Sequence, residues 1–82
     1  ETEIATIHNI SEGGMLMSIN MEMREDRWYE LMFEVPINGV MYNIIAKCIV
    51  SHKLEKSVTG IRFIEIKQDG LLHLRQFVKM KH

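Results

Sequence analysis

The side chains best placed to do chemistry lie in the stretch HNISEGG at residues 8–14, where Asn9 and Ser11 precede Gly13 and Gly14. A two-residue hairpin needs only an Asn-Gly or Gly-Gly pair, so the extra polar residues ask for a further reason. Side chains at i and i+2 of an extended segment project to the same side, which would present the Asn9 amide and the Ser11 hydroxyl together. A carbonyl oxygen beside a hydroxyl accepts from the N–H edge of a planar base such as guanine, and glycines let a flat ligand come close to the backbone. The same residue types also form turns in which Asn and Ser bond their own main chain. Local chemistry leaves both roles open.

Other constellations are poorer. The histidines, His8, His52, His73 and His82, lack the spacing of metal ligands, and no cysteine pair accompanies them. Cys48 lies in an apolar run with no glycine loop beside it for an oxyanion hole, which reads as a buried, inert thiol. Gly13 and Gly14 precede a strand pattern and not a helix, so they do not form a phosphate-cradling loop of the helix-opening kind. Trp28, Tyr29 and Tyr42 offer stacking surfaces, yet MREDRWYE mixes Arg24 and Arg27 with Glu25, Asp26 and Glu30, as a solvated mixed-charge turn would. We therefore expect no enzyme activity, no metal and no cofactor.

The elements that must position Asn9 and Ser11 follow from periodicity. Met15, Met17, Ile19, Met21 and Met23 share one parity, the mark of a half-buried strand, and their stripe reads as adaptable core. In RWYELMFEVP, Tyr29, Leu31, Phe33 and Val35 face one way, and Pro36 is expected to end the run. Asn38-Gly39 signals a hairpin into VMYNIIAKCIVSH, which is apolar on both parities near its middle. A turn at LEKS leads into VTGIRFIEI, where Gly60 marks a bulge or a close backbone approach. From Gln68 the period turns helical, with Leu71, Leu74, Phe77 and Val78 on one face, Asp69 as a cap, and Arg75, Lys79 and Lys81 toward the C-terminal end. Strands joined by short loops without crossover helices predict a mainly β fold, a small antiparallel β-barrel closed by a C-terminal α-helix.

With 82 residues the chain has room for one domain, residues 1–82, and a small core. A 46 % hydrophobic and 26 % charged composition fits an ordinary globular protein, with no apolar run long enough for a membrane segment. The formal charge of −1 argues against general affinity for nucleic acid and leaves a small anionic ligand open. A single cysteine suits a reducing cytoplasm. Because the chain opens with Glu1, we expect a piece of a longer protein or one missing its N-terminal segment.

Asn9-Ile10-Ser11-Glu12-Gly13-Gly14, followed by the alternating MLMSIN, resembles the Asn-x-Ser-x-x-Gly motif of the PilZ family. LMFEVPING, MYNIIAKCIVSH, VTGIRFIEI and a helix carrying LLHLRQFV then follow that family's order, so the resemblance covers nearly all of the chain after residue 4. It implies a bacterial, cytoplasmic β-barrel module that binds cyclic diguanylate and relays the signal to a protein partner or fused effector domain. Asn9 and Ser11 would contact a guanine, and Gly14 would permit close approach.

The family's Arg-x-x-x-Arg motif has no counterpart ahead of Asn9, and Arg24 and Arg27 have neither its spacing nor its position. The resemblance thus leaves two readings: a nucleotide receptor completed by upstream arginines, or a divergent adaptor that recognises protein through exposed apolar surface such as Trp28 and the Met-rich strand. A third reading, an unrelated small barrel for single-stranded oligonucleotides, predicts salt-dependent binding. In the family a strand before this point helps close the barrel. Its absence would expose an edge and favour a homo-oligomer by edge-strand pairing.

Overall fold

The computed structural model describes residues 3–54 and 57–81. His82, together with Glu55 and Lys56 of the turn read at LEKS, lies outside the described residues. Among the described residues five strands, β1 (Ala5–Ile10), β2 (Gly14–Ile19), β3 (Trp28–Ile37), β4 (Val40–Lys53) and β5 (Val58–Ile66), precede one helix, α1 (Gly70–Met80). All pairings are antiparallel in the order β1-β2-β5-β4-β3. The sheet curls into a half-barrel, and among the described residues no ladder joins β1 to β3. The expected mainly β architecture with a terminal helix therefore forms with an open seam.

The period-2 alternation sorts the side chains. Met15 and Met17 of β2, Phe33, Val35 and Ile37 of β3, and Ile44, Ala46, Cys48 and Val50 of β4 turn inward, with Ile61 of β5 beside them. The helix lays Leu74 into this core, with Phe77 and Val78 packed against its margin. Ile44, Ala46 and Leu74 have no solvent exposure. Burial also pushes the Cys48 thiol up to about 11, so it stays protonated and unreactive at neutral pH.

Three expectations need correction. Pro36 does not end β3: it pairs with Met41, and the strand runs on to Ile37. With a two-residue loop the ladder alternates from a hydrogen-bonded Ile37–Val40 pair, so Pro36 falls where an N–H would point away from β4, toward the free edge. The methionine strand stops at Ile19 instead of reaching Met23, although Met23 is still buried from the connection that follows. Asp69 sits at the N-cap position of α1 without a side-chain cap bond, because its backbone (φ −84°, ψ 6°) is not the extended form that aims a cap oxygen at the first turn. Gln68 at φ 53° makes the bend instead.

Candidate ligand site

β1 and β2 are joined by Ser11, Glu12 and Gly13. The pairing slips between Ile7 and Asn9, after which Asn9 faces Leu16 and Ile10 faces Met15. Ile10 and Met15 are both buried, so Asn9 and Leu16 share the outer face. The slip is what turns Asn9 outward while keeping Ile10 in the core.

The turn is held by its own residues. Asn9 Oδ1 accepts the Ile10 N–H at 2.9 Å. The Ser11 N–H donates to the Gly14 carbonyl at 2.9 Å, and Ser11 Oγ donates to the same oxygen at 3.3 Å while accepting the Gly13 N–H at 3.3 Å. These bonds fix both side chains in place, and the Asn9 NH₂ group has no protein partner among the described residues.

The two glycines have different surroundings. A Cβ on Gly14 would run into the Ile61 carbonyl of β5, so this position serves the close approach of two strands. A Cβ on Gly13 would meet nothing within 4 Å. The Gly13 carbonyl accepts the Phe63 N–H at 2.8 Å, which ties the turn to β5. Glu12 reaches Arg75 Nε of α1 at 2.8 Å, and both side chains are about half exposed.

Register brings further residues to the outer face that the sequence alone does not place beside the turn. Asn9 faces Leu16, Leu16 faces Gly60, and Gly60 faces His52, whose ring lies against the glycine. The register shift between Val50 and His52 is the irregularity expected near Gly60. Ser51 Oγ steadies it by donating to the Gly60 carbonyl at 3.1 Å. Gly14 faces Arg62, which is exposed. The only signal in the sequence for Arg62 was its parity opposite Ile61; its nearness to the turn needed the β2–β5 pairing.

Along the unpaired edge of β1 the open seam forms a groove of about 250 Å³, bordered by Asn9 and lined by Ile7, Phe33, Val35, Phe77 and Lys81 among others. Among the aromatics read as stacking candidates, the Tyr29 hydroxyl accepts the Arg24 N–H at 2.8 Å, and Tyr42 stacks on His73 with centroids 4.2 Å apart. Trp28 is 55 % exposed, with Lys47 Nζ 4.8 Å from its ring centroid. The Arg24–Asp26 pair at 2.8 Å accounts for part of the mixed-charge turn. Among the described residues no three His, Cys, Asp or Glu side chains gather as a metal site, and no helix is long and apolar enough to cross a membrane.

The family model of the PilZ domain matches residues 1–80. No curated protein and no solved structure matches the chain. The chain belongs to the PilZ family, whose domains are binding and adaptor modules of signalling related to cyclic diguanylate.

Proposed function

We propose that this PilZ domain is a bacterial, cytoplasmic and non-enzymatic receptor for cyclic diguanylate, whose guanine is read by Asn9 and Ser11 at the β1–β2 turn. The observation that carries this reading is the pre-set turn: Asn9 stands on the outer face with an NH₂ group that has no partner among the described residues, and Ser11 is fixed by Gly13 and Gly14. A carbonyl and a hydroxyl held in place lose little freedom on meeting a base. The neutral Asn9 makes weaker bonds to guanine than an ionised carboxylate would. Gly14 contributes by letting β2 and β5 approach, which sets the angle of the turn.

The output follows from ordering. A dianionic ligand at the turn sits beside the Glu12–Arg75 pair, so its arrival favours one placement of α1 over another and passes the signal to an attached domain or protein partner. Calorimetric titration with cyclic diguanylate tests the reading. Binding that is lost on Asn9→Ala and Ser11→Ala supports it, and a wild-type chain that takes up no heat removes it.

A second reading, a protein adaptor that does not bind the nucleotide, draws on the outer face of β3 and β4, where Trp28, Met32 and Met41 are each more than half exposed. The Met-rich β2 does not add to that surface, because Met15 and Met17 are core. The edge of β1, unpaired among the described residues, carries no Asp, Glu, Lys, Arg or Pro and favours pairing with a second copy, whereas β3 has Pro36, Glu30 and Glu34. Sedimentation that finds only monomer at high concentration removes the homo-oligomer.

A further inference from the structure

Four residues from four strands stand in one row on the outer face. Gly14 of β2 faces Arg62 of β5, Arg62 faces Ile49 of β4, and Ile49 faces Trp28 of β3. At roughly 4.8 Å between neighbouring strands the row is about 14 Å long. It begins at the Asn9–Ser11 turn and ends at an exposed indole.

The charge along the row is unusual for this sheet. Of the cations on the strands, Lys47 and Lys53 each have an acidic partner within 4 Å, whereas Arg62, like Arg27, Lys79 and Lys81 outside the sheet, has none among the described residues. Its cross-strand neighbours, Gly14 and Ile49, cannot neutralise it. A glycine next to it also means that no side chain at that position separates the guanidinium from the turn. Lys47 is close to Trp28 but is shared with Glu65 at 3.7 Å, which leaves Arg62 as the open cation of the row.

The geometry points to Arg62 as the phosphate-binding residue of the nucleotide site, with Trp28 at the far end of the same row stacking the second base. This rests on Asn9 and Ser11 holding the first guanine. A cyclic dinucleotide carries its bases on either side of a phosphodiester ring, and the row offers a polar turn, a guanidinium and an indole in the matching order. The guanidinium fork suits a phosphate, and an exposed aromatic face suits any base.

The test is a titration of the full chain with cyclic diguanylate, read by calorimetry and by the emission of Trp28, the single tryptophan of the chain. Arg62→Gln is expected to weaken binding on the order of tenfold or more and to flatten its dependence on salt. Arg62→Lys should restore only part of the affinity, with an unchanged melting temperature in both variants. Trp28 emission should change as the wild type fills. If Ser11→Ala abolishes binding while Arg62→Gln binds as tightly as wild type with the same salt dependence, the phosphate assignment is overturned and the guanine reading stands. A wild-type titration that leaves Trp28 emission unaltered overturns the stacking assignment. Absence of any binding removes the guanine reading and the row's ligand with it.

Discussion

Two Asn- and Gly-containing turns in this small sheet are built differently. Between β3 and β4, Asn38 and Gly39 adopt φ 52° and 83°, the left-handed pair of a two-residue hairpin turn, and the strands pair without interruption from Ile37–Val40 to Trp28–Ile49. Between β1 and β2 three residues are used, none with positive φ, and side-chain bonds from Asn9 and Ser11 take over the work of backbone twist. The first turn connects two strands. The second also faces a neighbouring strand through the Gly13 carbonyl and a helix through Glu12, whereas Asn38 and Gly39 make no hydrogen bond or ion pair to another element among the described residues.

That contrast can be broken by substitution. Gly14→Ala should be the most damaging change, by about 3 kcal/mol, because the new methyl must displace the Ile61 carbonyl and with it the β2–β5 pairing. In a domain of this size that lowers the melting temperature by more than ~10 °C, which a thermal scan resolves. If Gly14→Ala melts as wild type does, the β1–β2 turn does not depend on the close approach of Gly14 to Ile61. Gly39→Ala should cost about 1 kcal/mol through its positive φ alone, leaving the pairing intact by amide exchange.

Ser11→Ala should cost roughly 1 kcal/mol of stability in a denaturant titration, since one modest network of bonds is lost. Its effect on nucleotide binding should be far larger than its effect on folding, and that ratio separates a presenting turn from a merely structural one. Glu12→Gln removes an exposed ion pair and should change stability by no more than about 0.5 kcal/mol, with the difference fading at high salt. Gly13→Ala completes the series at nearly zero, because nothing stands where the methyl would go.

Much of the fold was legible because each strand carries its own period. The alternation of Met15 and Met17, the Asn38-Gly39 signal and the helical spacing of Leu74, Phe77 and Val78 are local, and the elements appear where those patterns lie. Pro36 was misread because its effect depends on whether β3 is an edge strand, which no local window contains. Asp69 was misread because a cap needs a particular backbone as well as a particular side chain.

The sequence by itself determined the succession of strands and helix along the chain, the inward faces of β2 and β3 and the turn that carries Asn9 and Ser11, since these rest on periods of two and 3.6 residues and on turn chemistry within a few positions. Only the tertiary structure decided that Gly14 clears Ile61, that Arg62 stands across from the turn, that α1 reaches Glu12, and that no ladder joins β1 to β3 among the described residues. Those facts depend on register between strands far apart in the chain, where a slip of one residue would exchange every inward side chain for an outward one.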